Sequence, residues 1–175
     1  MPPSFLRRAL NLPAVWLGSG DRLRAMYAGG KANATARRFA RFWSTVYGLG
    51  LSSHRWVSLE VPGRASGRLR RFPLGMADWD GEWYLVSMLG ERSQWVKNVR
   101  ASQGHAVLRH GKARPVRLSE VPIGERAPIL RSYLASVPGG RPHFPVDHRA
   151  ALSEFAAVAA AYPVFRITWI RSSLT

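Results

Sequence analysis

The segment from Arg55 to Val86, RWVSLEVPGRASGRLRRFPLGMADWDGEWYLV, decides how this chain is read. Trp56, Ser58 and Glu60 alternate with Val57, Leu59 and Val61, the period of two expected of a β-strand. A glycine- and arginine-rich turn follows, and Arg70 to Trp79 reads as the returning strand. Asp80-Gly81 is a two-residue hairpin signal that leads into a third strand, Glu82 to Leu89. Three strands joined by two short turns predict an antiparallel sheet.

Outward from this core the pattern continues. Ser93 to Ala101 predicts a short helix with Trp95 and Val99 four apart, and His105–His110 with Ala113–Val121 predicts a hairpin around Gly111-Lys112. Pro115, which lacks an N–H, marks the second of these strands as an edge or bulged one. A helix over Gly124–Val137 presents Ile129, Leu130, Tyr133 and Leu134, and Pro138-Gly139-Gly140 ends it. A third helix spans Arg149–Tyr162, where Asp147 helps to start it, and Val164–Ile170 closes the chain as a strand. The expected class is α+β, mainly β: about six antiparallel strands in a barrel-like sheet with flanking helices. There is no βαβ alternation and no G-x-G-x-x-G, which argues against a dinucleotide-binding α/β domain.

Residues 1–50 differ in character and are expected to form a basic helical N-terminal extension to a domain over 51–175. They carry Arg7, Arg8, Arg22, Arg24, Lys31, Arg37, Arg38 and Arg41 against one acid, Asp21. From Ala34 to Tyr47, Phe39, Trp43 and Val46 recur at helical spacing opposite the arginines. Such a helix suits either packing on the main domain or lying on an anionic membrane surface. The Arg7-Arg8 segment is a poor signal peptide, because Asn11 and Pro13 interrupt its apolar run, and no run spans a bilayer. A cytoplasmic location is expected, with peripheral membrane contact through residues 1–50 open.

The chain has 26 basic and 10 acidic side chains, a formal charge of +16, almost all of it arginine, and no cysteine. Disulfides, thiolate metal sites and cysteine nucleophiles are excluded. Arginine forks favour phosphate or carboxylate partners. Nucleic acid is a weak expectation, because the arginines are not gathered on one helix and no recognition motif is present. His143 and His148 lack further ligands at a metal-binding spacing, so no metal site is expected. No serine lies in a G-x-S-x-G context. The turn itself is the best candidate site. Gly63 and Gly67 can take positive φ, Ser66 offers a hydroxyl, and Arg64, Arg68 and Arg70 offer charge. From the residues alone, a solvated hairpin and an anion cradle both fit.

"GRASGRLRRFPL" fits G-R-x-[ST]-G-x-x-R-x-x-P-L, and downstream stand Trp95, Asn98, Arg100 and Ala101 in a W-x-x-N arrangement. With "ERAPILRSYL" and "YPVFRITWI", this resembles the deazaflavin-dependent nitroreductase family from about Arg55 onward. The resemblance implies a split β-barrel that binds reduced coenzyme F420, with FMN as the less favoured cofactor. It implies hydride transfer to a hydrophobic, electron-poor acceptor such as a quinone, nitro compound or conjugated carbonyl. Carried over by position, Arg64, Ser66, Gly67 and Arg70, with Pro73 in the same motif, hold the phosphate, and Arg68 or Arg71 lies near the acidic tail. Ser87, Met88, Leu89 and Gly90 set backbone against the ring, with Ser87 as a catalytic candidate, and Trp95 and Asn98 lock the helix beneath. Tyr133, His143 and Phe144, with Trp79 and Trp83, are the substrate-side candidates. The chain departs from the pattern at Ala65, where many members have lysine, and at Ser87–Glu91, commonly serine followed by Lys-Gly-Gly.

Overall fold

In a computed structural model, residues 34–170 are described. Arg7-Arg8, and the part of the expected extension before residue 34, lie outside them. Helix α1 (Ala34–Gly48) precedes strands β1 (Trp56–Pro62), β2 (Leu69–Trp79) and β3 (Glu82–Val86). Helix α2 (Gln94–Ala101), strands β4 (His105–His110) and β5 (Lys112–Glu120), helices α3 (Arg126–Ser136) and α4 (Leu152–Val158), and strand β6 (Val164–Trp169) complete the order. The strands close into one antiparallel barrel in the order β1-β2-β3-β6-β5-β4.

Antiparallel closure gives the barrel two unlike mouths. At one, the connections are long: residues 63–68, the segment bearing α2, and the segment bearing α3 and α4. At the other, the connections are the tight turns Asp80-Gly81 and Gly111. Asp80 (φ 51°) and Gly81 (φ 76°) both take the positive φ that a two-residue hairpin of the expected kind requires.

The interior follows the period of two. Val57, Leu59 and Val61 of β1 face inward with Met76, Leu85, Leu108, Val116, Leu118, Phe165 and Ile167, and α2 adds Trp95, Val96 and Val99. Helix α2 thus plugs the mouth at which the long connections gather, with Trp95 against Phe165 at 5.4 Å. An outer layer packs α1, α3 and α4 against Trp56, Ala77, Tyr84, Val86 and Val164. The end of α3 comes so close at Gly75 that a Cβ there would sit 2.9 Å from Val137.

The face of β1 that carries Trp56, Ser58 and Glu60 is covered: the first six residues of the strand are buried. Helix α1 covers it, with Tyr47 stacked on Trp56 at 5.5 Å and the hydroxyls of Ser44 and Ser58 2.5 Å apart. Pro115 is not on an edge, because the barrel is closed. It stands one residue beyond Val116↔Trp169, the last pair of the β5–β6 ladder, and its carbonyl accepts from Ile170 N–H at 3.1 Å. Asp147 caps its own turn, accepting from Arg149 N–H at 2.8 Å, and α4 starts only at Leu152.

Candidate functional site

The turn after β1 is built from its own backbone. Gly63 N–H donates to Arg68 O (2.9 Å), and Gly67 N–H (2.7 Å) and Ser66 N–H (3.2 Å) donate to Gly63 O. Gly67 takes φ +65°, whereas Gly63 does not have positive φ. These amides are consumed within the loop, so they do not converge on an anion as the two-glycine reading expects. What the turn presents is side chains. Arg68 and Arg70 are exposed and, among the described residues, carry no ion pair, and a Cβ at Gly67 would meet nothing within 4 Å. Ser66 is exposed, with its Oγ accepting from Arg68 N–H at 3.4 Å.

Arg64 joins this turn to α2. Its Nη1 donates to Asn98 Oδ1 (3.2 Å) and Gln94 Oε1 (3.0 Å), and its backbone N–H donates to Asn98 Oδ1 (3.3 Å). Asn98 is buried. Its helix is fixed by Trp95, which anchors in the barrel three residues earlier, one helical turn away on the same face. Two motifs separated by 34 positions therefore meet at one oxygen.

Arg71 points elsewhere. Its Nε donates to Glu60 Oε1 at 3.0 Å, and Arg109 Nε donates to the same oxygen at 2.9 Å. Burial pushes the Glu60 carboxyl up, but the Arg109 and Arg71 guanidiniums outweigh it and hold the group below its ordinary range. Pro73 lies half-buried in β2 opposite Ser58.

Ser87 is fully buried, and its hydroxyl lies 2.8 Å from Gly90 O and 2.6 Å from Ser93 Oγ. It ties the loop between β3 and α2. Gly90, at φ +64°, is pressed against the segment before β6, where a Cβ would fall 2.7 Å from Ala161 O. Met88 and Leu89 between them are half-buried.

The substrate-side candidates do not all line an open space. Tyr133 and Phe144 are buried core residues, and burial pushes the Tyr133 hydroxyl up. Phe144 stacks on Tyr162 at 3.9 Å, and Tyr162 donates to His143 O at 2.9 Å. Trp79 and Trp83 lie on the side of the barrel away from the turn at 63–68. No signal short of register would separate them from the turn.

The donor set around the turn fits an anionic cofactor: two guanidinium groups without acid partners among the described residues, a hydroxyl, and a third guanidinium already positioned by α2. A family model described as F420H(2)-dependent quinone reductase matches residues 20–140. Among solved structures, an F420-H2 dependent reductase is 20% identical with TM-score 0.43, over 65% of this chain and 94% of its own. A conserved hypothetical protein of Mycobacterium tuberculosis is 19% identical with TM-score 0.44, over 71% and 78%. An FAD-binding protein of Mesorhizobium loti is 18% identical with TM-score 0.44, over 74% and 89%. No curated protein matches the chain.

Proposed function

The chain belongs to the F420H(2)-dependent quinone reductase family, and from that premise we propose that Arg64, Ser66, Gly67, Arg68 and Arg70 hold the anionic part of coenzyme F420 while a quinone is reduced. It is a coenzyme F420-dependent oxidoreductase with a barrel fold. The observation that carries the site assignment is the meeting of Arg64 with Asn98. Asn98 accepts from both the main chain and the guanidinium of Arg64, so the fork is oriented before any ligand arrives. Arg68 and Arg70 then supply bidentate charge from the open side of the turn, where Gly67 leaves room.

The bound cofactor supplies the hydride; the chain binds, orients and excludes water. Ser87 acts as a positioning residue. Its buried hydroxyl fixes the loop 87–93 that brings Met88 and Leu89 to the plugged mouth. Trp95 and Phe165 close the barrel behind that loop, so the site is backed by packed side chains rather than by solvent. Pro73 stiffens β2 just beyond the arginines.

The acceptor is a lipid-soluble ring, and α1 offers a way to reach one. Phe42 on α1, and Leu49 and Leu51 just beyond its end, are 61%, 63% and 57% exposed, and Arg38 and Arg41 lie on α1. A basic helix bearing outward apolar side chains suits contact with an anionic membrane surface, and residues 1–50 would act as a peripheral extension of a cytoplasmic enzyme. No helix among the described residues is long and apolar enough to cross a membrane.

The test is oxidation of reduced coenzyme F420, followed by its absorbance, with and without a soluble naphthoquinone. Quinone-dependent turnover is the expected result. Cofactor binding with no turnover on any quinone, nitro compound or conjugated carbonyl would overturn the reductase reading while keeping the binding site. Flotation with vesicles containing anionic lipid should recover the protein, and Phe42→Ser with Leu49→Ser should leave it behind.

A further inference from the structure

The mouth of the barrel opposite the arginine turn holds a cavity of about 310 Å³. Val57, Met76 and Leu108 line it as buried apolar residues, and Trp83 and Trp169 contribute indole rings. His54, His110, Lys112 and Arg114 complete the lining, and no carboxylate takes part.

Strand register makes this arrangement unusual. Leu108, Val116, Leu118 and Ile167 face the barrel interior, so His110, Lys112, Arg114 and Trp169, each an even number of residues from one of them on its strand, share that parity. These are positions where a closed barrel would ordinarily continue its apolar core. The sequence places two basic side chains and an imidazole there instead. Their orientation is partly set: the Arg114 guanidinium lies over the Trp169 ring at 5.8 Å, and His110 Nδ1 is 3.0 Å from Trp56 O. The His54 ring meets Trp83 edge-on at 5.5 Å. Arg55, nearby over Trp83, is already engaged by Asp78 at 2.7 Å, so that acid does not neutralise the rim.

We propose that this mouth is a second ligand site, separate from the cofactor site, that takes a small planar aromatic carboxylate. The ring would enter over Val57, Met76 and Leu108 between the indoles, and the carboxylate would stay at the rim with Lys112 and Arg114. The chemistry follows from the lining. An apolar floor rejects charge, indole faces accept a flat ring, and rim cations with no carboxylate beside them select an anion over a neutral analogue. The volume lies at the small end for ligand pockets, which limits the ring system to one or two fused rings.

The test uses the full chain and 2-naphthoate as probe, followed by calorimetry, with 2-naphthamide as the neutral analogue. Saturable binding with a Kd of about 0.1–1 mM is expected for the carboxylate, and binding about tenfold weaker for the amide. Lys112→Glu and Arg114→Glu change exposed side chains, so the melting temperature should hold while naphthoate affinity falls about tenfold. Coenzyme F420 should bind these variants as it binds the wild type, and it should not displace naphthoate. Absence of saturable binding, equal affinity for the amide, unaltered affinity in both variants, or displacement by coenzyme F420 would each overturn the proposal.

Discussion

The two mouths of one barrel use the same residue types differently. At the first, Trp95 is buried and plugs the interior, while Arg64 and Arg68 stand on the loop and Arg70 stands exposed at the start of β2, opposite Val61. At the second, Trp169 is 40% exposed at the rim, and the cations occupy inward-facing register with the cavity open beneath them. The difference is a matter of connection length. Long connections carry a helix that fills the barrel end, whereas tight hairpins cannot, and the space they leave stays lined largely by strand side chains. Such a barrel can keep its core closed at the mouth beside the arginine turn while the far mouth is free to vary.

The comparison breaks most visibly at its two tryptophans. Trp95→Ala should hollow the barrel and cost about 3–5 kcal/mol, whereas Trp169→Ala should cost under about 1 kcal/mol. Urea unfolding of the two variants measures the contrast directly, and similar losses would mean that the second mouth is as packed as the first. Next in size, Asn98→Ala should remove about 1–2 kcal/mol, because it takes away a buried acceptor that serves both the main chain and the guanidinium of Arg64. The same variant should weaken coenzyme F420 binding, because the Arg64 fork loses its alignment, and a cofactor titration beside the melt separates the two effects.

Glu60 sharpens the comparison through pH. Its folded-state carboxyl is held below the ordinary value, so the stability it contributes is fully present above the unfolded pKa, about 4.3, and is lost as pH falls through the lowered folded value. Glu60→Gln should flatten the acid limb of a stability–pH curve below about pH 4.3. At neutral pH its cost should stay near about 1 kcal/mol, because Arg71 and Arg109 can both turn to solvent. The smallest stability effect belongs to Arg68→Ala and Arg70→Ala, within about 0.5 kcal/mol of wild type, since neither side chain carries an ion pair among the described residues.

Strand alternation, the Asp80-Gly81 turn and the spacing Trp95…Asn98 are legible in the sequence, because each depends on residues close together in the chain. The apolar parity of β1 is legible for the same reason, and so are the arginines of the turn. Burial of Ser58 and Glu60 is not. It comes from α1 and from Arg109, 49 positions away from Glu60, and strand periodicity carries no record of what covers the other face. The hydrogen bonds of the turn are equally hidden, because glycine permits positive φ without requiring it, and Gly63 does not use it. Tyr133 and Phe144 are ambiguous in sequence because aromatic residues beside a Pro/Gly loop suit either a pocket or a core, and here they are core. The second mouth leaves a signal only in register: Lys112 and Arg114 stand on the interior parity of β5, which shows once Val116 and Leu118 are known to face inward.

The most direct test is the affinity for coenzyme F420, followed by its fluorescence, in the wild type, Arg70→Ala and Lys112→Glu. Arg70→Ala should weaken binding by about tenfold, and by less as salt is raised, while Lys112→Glu at the far mouth should leave it unchanged. Wild-type affinity in Arg70→Ala together with a loss in Lys112→Glu would contradict the site assignment and move the cofactor to the other end of the barrel.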